Sequence, residues 1–100
     1  MKSLELPTSE IKRTFYRRLY TAYLIDTGVN TMSGLMEHTG MSRRTLQNTI
    51  TLLVHMDILA GHEGPRNSGK YFVSNWGPFK KQWIKENIQG IREALGIDQV

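Results

Sequence analysis

Cysteine is absent from the 100 residues, which excludes a disulfide framework, a thiolate zinc site and a thiol nucleophile. Long hydrophobic runs are absent too: none approaches the roughly 18 residues that a membrane-spanning helix needs. The opening Met-Lys-Ser-Leu-Glu-Leu-Pro holds no apolar signal-peptide core. A soluble protein of the cytoplasm is the expectation. Like charges never gather in a block of about five or six, so no disordered basic arm is available to hold an anionic partner. Internal repeats and low-complexity segments are also missing. A chain of this length with 39% hydrophobic residues is expected to fold as one domain over residues 1–100 around a single core.

What is present is a modest basic excess, 13 Lys plus Arg against 9 Asp plus Glu, for a net charge of +4. The excess is diffuse: +2 over residues 1–30, none over 31–57, +1 over 58–77 and +1 over 78–100. An anionic partner is permitted, and only a folded surface can concentrate the charge for it.

Local signals lay out the elements. Pro7, Thr8 and Ser9 precede Ile11, Phe15, Leu19, Ala22 and Tyr23 at helical spacing, and the run ends at Asp26-Thr27-Gly28. This predicts a first helix with Thr8 or Ser9 as N-cap and Gly28 just past its end. Tyr16, Tyr20 and Leu24 widen its apolar arc, so it should pack on two sides. Arg13 and Arg17 share the remaining face, to be solvated or to meet an anion. Thr31 can cap a short helix carrying Met32, Leu35 and Met36 as far as Thr39, and Gly40 stops it. Ser42 then caps another helix across the two-residue turn Gly40-Met41, which is the spacing of a helix-turn-helix.

At about 100° per residue, the helix from Ser42 places Leu46, Ile50, Leu53 and Val54 on one stripe. Arg44, Gln47, Asn48, Thr51 and His55 fall on the other side, with Arg43 in the first turn. Between Ser42 and His55 there is no acid. An ordinary solvent face is richer in Glu and Lys, whereas Arg, Gln and Asn present paired donors and acceptors that suit base edges and phosphates.

Beyond Asp57 the period changes to two β-prone runs, Ile58–Glu63 and Lys70–Ser74, flanking Gly64-Pro65-Arg66-Asn67-Ser68-Gly69, which predicts a hairpin with a wide tip. Arg66 and Lys70 bring charge to the tip, and Asn67 and Gly69 are expected to supply positive φ. Trp76-Gly77 ends the strand. Pro78 is expected in the first turn of one last helix with Phe79, Trp83, Ile84, Ile88, Ile91 and Leu95 along one side.

The order helix, helix, helix, hairpin, helix, with the strings Thr39-Gly40-Met41-Ser42-Arg43-Arg44-Thr45-Leu46-Gln47, Arg66-Asn67-Ser68-Gly69-Lys70-Tyr71 and Asn75-Trp76-Gly77-Pro78, resembles the winged helix-turn-helix DNA-binding domains of small bacterial regulators. The resemblance implies a mostly helical α+β fold: a three-helix core, a β-hairpin wing and an extra C-terminal helix. It places the helix-turn-helix at residues 31–56, the wing at 58–75 and the last helix at 78–95. It also implies a third helix in the major groove and a wing on the backbone or the minor groove, with no ligand pocket or catalytic motif.

On that reading Arg44 and Gln47 are the base-reading candidates, and Asn48 belongs to the same face. Ser42, Arg43, Thr45 and Thr51 are expected on phosphates, with Arg66 and Lys70 contacting DNA from the wing. Tyr16, Tyr20, Leu24, Trp83, Ile84, Ile88, Ile91 and Leu95 are surplus apolar residues expected at a homodimer interface, where Gly90 and Ala94 would let helix backbones approach. His38, His55, His62 and Glu63 match no metal-ligand spacing. No nucleophile elbow, phosphate loop or carboxylate pair is present. Neither a cofactor nor enzymatic activity is expected. The alternative is an adaptor module that binds protein on the same scaffold.

Overall fold

The computed structural model describes residues 9–97, so the alternative cap Thr8 lies outside them. The expected order holds with one change, the division of the last helix: α1 Glu10–Asp26, α2 Met32–Thr39, α3 Arg43–Leu52, β1 Leu59–Glu63, β2 Lys70–Asn75, α4 Lys81–Glu86 and α5 Ile88–Leu95.

The Ser9 hydroxyl caps α1 by accepting from the Lys12 amide at 3.1 Å. At the other end Gly28 takes φ +116°, and the Val29 and Gly28 amides donate to the Leu24 and Ile25 carbonyls at 2.8 and 3.4 Å. This is the six-to-one and five-to-two pairing that a left-handed residue permits. The second half of α1 is buried nearly all round through Leu19, Tyr20, Thr21, Ala22, Leu24 and Ile25. Helices α2, α3, α4 and α5 and strand β2 all pack against α1. The expected apolar face does not reach the helix start, where Ile11 is 84% and Phe15 37% exposed. Full burial on α1 begins at Leu19.

The Thr31 hydroxyl caps α2 by accepting from the Gly34 amide at 3.1 Å. Gly40 closes α2 in the left-handed region, and Met41 donates its amide to the Thr39 hydroxyl at 3.1 Å. Helix α3 then starts on Ser42, whose hydroxyl accepts from the Thr45 amide at 3.1 Å. Leu46 and Leu53 are fully buried and Thr49 nearly so, and Thr49 donates its hydroxyl back to the Thr45 carbonyl at 2.8 Å. Val54, expected in the core, is instead 53% exposed. The helix tightens to 3₁₀ over Leu53–Met56, and the larger angular step per residue there turns Val54 outward.

The hairpin is antiparallel with Ala60 opposite Val73, His62 opposite Tyr71 and Glu63 opposite Lys70. Tyr71 donates its amide to the Asn30 carbonyl at 2.8 Å, tying the hairpin to the segment between α1 and α2. In the tip, Gly64 takes the positive φ expected of Asn67 and Gly69. Gly69 is needed for space, since a Cβ there would stand 2.1 Å from the Glu63 carbonyl oxygen.

The last helix, expected as one element, is two. Asn87 interrupts it with φ −111° and ψ 15° and donates its side-chain amide to the Trp83 carbonyl at 2.8 Å, competing with the backbone ladder. Pro78 sits in the turn ahead of α4 rather than in its first turn. Asp26 anchors this region to α1 through the Trp76 indole N–H at 2.9 Å and the Lys81 ammonium at 3.1 Å.

Several residues expected between subunits are instead inside this chain. Tyr20, Leu24, Ile84 and Ile91 are buried in its core, and Tyr20 accepts a hydrogen bond from the Arg92 guanidinium. Tyr16, Ile88 and Leu95 are half-buried against the same core. Docking α4 and α5 on α1 removes that apolar area from water, so only Trp83, 47% exposed, keeps a largely open face. No heavy atom lies within 4 Å of a Cβ built on Gly90, so packing within the chain does not require glycine there.

Candidate nucleic-acid interface

The outward arc of α3 carries the residues that its sequence pattern selects. Arg43, Arg44, Gln47, Asn48 and Thr51 are all exposed, while Leu46 and Thr49 turn inward and Ile50 is half-buried. No carboxylate lies on the arc or anywhere in α3. The helix N-terminus adds the partial positive charge of its unpaired amides. Ser42 is exposed, and its hydroxyl is engaged within the turn, donating to the Thr45 hydroxyl at 3.0 Å while capping the helix. Thr45 is half-buried on the side of α3 that faces α1.

Each flank of α3 borders a cleft. Toward the hairpin, a space of about 280 Å³ is lined by Ile50, Thr51 and Val54 from one side and by Leu59, Ala60, His62 and Tyr71 from the other. Toward α1, a polar cleft of about 340 Å³ lies between Thr14, Arg17 and Arg18 on α1 and Arg44, Thr45, Asn48, Thr49 and Leu52 on α3. Arg17, expected either in solvent or on an anion, is half-buried in that cleft. Arg13, four residues earlier, is turned to Glu10 at 3.4 Å on the open surface.

Arg18 was missed in the sequence. Its signal was the spacing Thr14, Arg17, Arg18, Thr21, a polar stripe at helical intervals that runs into the apolar half of α1. Thr21 is fully buried and donates its hydroxyl to the Arg17 carbonyl at 2.8 Å. Thr21 and Thr49 thus each satisfy a buried hydroxyl on their own helix.

On the hairpin, Arg66 stands in the exposed tip. Lys70 is exposed too, but directly across from Glu63, an opposite-charge pair that lowers the field Lys70 can offer. His62 packs edge-on against Tyr71 with ring centroids 4.7 Å apart, and the His38 ring is hydrogen-bonded to the Gly34 carbonyl at 3.1 Å. Among the described residues, no group of three or more His, Asp or Glu is gathered as a metal would require. Nor is any helix there long and apolar enough to cross a membrane.

Residues 10–95 match a protein-family model described as winged helix-turn helix. The chain is also similar to a solved structure, a DUF2131 family protein from Shewanella amazonensis SB2B. The two superpose with a TM-score of 0.83 at 31% identity, over 90% of this chain and 90% of that one. No curated protein matches the sequence.

Proposed function

Because the chain belongs to the winged helix-turn-helix family, which suggests DNA binding, we propose that it is a sequence-specific double-stranded DNA-binding protein that regulates transcription as a homodimer. The observation that carries this is the outward arc of α3, where Arg43, Arg44, Gln47, Asn48 and Thr51 are exposed without one carboxylate among them. A helix is about 10–12 Å across with its side chains and the major groove about 12 Å wide, so α3 fills the groove with this arc toward the base edges. Arg44 and Gln47 read bases, with Asn48 beside them. Arg43 and Thr51 meet phosphates, and Ser42 and Thr45 fix the helix start. From the hairpin, Arg66 reaches the backbone or the minor groove, with Lys70 in a lesser part because of Glu63. The role is recognition rather than catalysis.

Selection of bound sequences from random duplex DNA, followed by mobility shift across a salt series, tests the reading. An enriched motif is expected, with affinity that weakens steeply as salt rises. Replacing Arg43 and Arg44 by Ala should abolish the shift. Affinity that is indifferent to salt and to both arginines would sink the proposal. A second reading, an adaptor that binds protein, is favoured by the exposure of Ile11, Phe15 and Trp83. A monomer that enriches no DNA sequence supports the adaptor.

A further inference from the structure

We propose that the cleft between α1 and α3 is a second DNA contact, in which Arg17 and Arg18 grip one phosphodiester of the backbone beside the recognition helix. This rests on the DNA-binding reading above and adds α1 to the helix and wing that already carry it. Four observations converge. The cleft is lined by arginines from two elements, Arg17 and Arg18 on α1 and Arg44 on α3, and by no acidic residue. Among the described residues, neither Arg17 nor Arg18 forms an ion pair, whereas Arg13 on the same helix does. Arginines gathered at one cleft, two of them half-buried, favour an anion in the space they share. The planar fork of Arg fits phosphate oxygens two at a time.

The position selects the kind of anion. With α3 filling the major groove, its two flanks face the two phosphate strands that border the groove. The cleft runs along one such flank: Asn48 and Arg44 belong to the outward arc, while Thr45, Leu52 and Thr49 lead down to α1. The hydroxyls of Thr14 and Thr45 add neutral donors at the same place. Arg44, at the rim, borders the cleft and belongs to the arc that faces the base edges, so Arg17 and Arg18 are the residues that hold the phosphate. Thr21 and Thr49 are buried and satisfied on their own helices, so their hydroxyls do not compete for the anion.

The test uses the full chain and the duplex it selects. Fluorescence anisotropy across a chloride series is compared for the wild type, Arg17→Gln, Arg18→Gln, the double variant, and Arg13→Gln, which removes one charge from the same helix away from the cleft. The cleft variants should weaken binding to every duplex by a similar factor, leave the selected motif unchanged, and lower the slope of log affinity against log salt by about 1. Arg13→Gln should keep the wild-type slope. Melting temperatures verify folding, and the single variants carry the comparison if the double variant melts early.

Wild-type slope and affinity in the cleft variants would overturn the proposal, as would weakening confined to the selected sequence. Inorganic phosphate that displaces nothing from DNA yet binds at Arg17 and Arg18, with an unchanged salt slope in the variants, would mark a free-anion site and overturn the backbone assignment. A wild-type protein that binds no duplex removes the DNA reading itself. Unchanged variants of a protein that binds DNA remove only the cleft.

Discussion

Asp26 joins the end of α1 to the chain fifty residues later, accepting from the Trp76 indole and pairing with Lys81. Burial pushes its carboxyl upward, but the two donors outweigh that and hold it below the ordinary aspartate range. A folded-state value below the unfolded one means that the carboxylate stabilises the protein above about pH 5. That contribution fades as the pH falls through the folded value, below the roughly 3.9 of a free aspartate. Asp26→Asn should therefore cost on the order of 1 kcal/mol at pH 7, with the Lys81 share kept small by exposure. The gap from wild type should close toward pH 2, as read by urea unfolding followed by circular dichroism. Gly69 is constrained by room instead of charge. Gly69→Ala puts a Cβ 2.1 Å from the Glu63 carbonyl and should cost about 1–3 kcal/mol, seen as a lowered urea midpoint. The caps Ser9, Thr31 and Ser42 and the stops Gly28 and Gly40 were legible in the sequence, because each bonds within a few residues of itself. Asp26 was not, because its partners arrive only when the C-terminal region folds back.

At the scale of elements, the helix-turn-helix, the hairpin and the acid-free face of α3 could be read from spacing alone. Two departures have local causes that a fixed helical period cannot hold. One is the 3₁₀ turn at Leu53–Met56 that rotates Val54 out of the core. The other is Asn87, which divides the C-terminal stripe into α4 and α5. Both alter which residues carry stability. Leu46→Ala should cost about 2–5 kcal/mol, since it empties a fully buried site in α3. Val54→Ala should cost well under about 1 kcal/mol, because the side chain is already half in water. A uniform α-helix through residue 55 would make the two losses comparable, so chemical denaturation of the pair separates the alternatives. The cleft behind α3 was half legible: Arg17 stood out by its spacing from Arg13, but the sequence alone gave no means of knowing that α1 lays Arg17 and Arg18 against α3.

On the molecule as a whole, the basic face and an exposed apolar face meet on α1, where Thr14 and Arg18 border both the cleft toward α3 and the space beside Ile11 and Phe15. The basic face is α3, its cleft and the hairpin tip. Exposed apolar side chains remain at the start of α1, on α4 and beside the hairpin, where Ile11, Trp83, Val54, Leu59 and Phe72 are open to solvent, and Phe15 packs at a tilt against Phe79 with ring centroids 5.7 Å apart. Packing α4 and α5 onto α1 has already used most of the stripe that the sequence offers for subunit pairing. The proposed homodimer has only what is left to form on, and this gives the pairing a sharp test. Trp83→Ser and Ile84→Ser change neighbouring residues of one short helix in the same way. The first alters an exposed ring and should shift a dimer to monomer in sedimentation while leaving the melting temperature nearly unchanged. The second places a hydroxyl in the core and should lower stability by about 2–5 kcal/mol before any change in association is seen. If Trp83→Ser leaves the sedimentation coefficient where it was, α4 lies outside the dimer interface, and a dimer that still binds DNA pairs through another surface, such as the start of α1 or the exposed Leu59 and Phe72 of the hairpin.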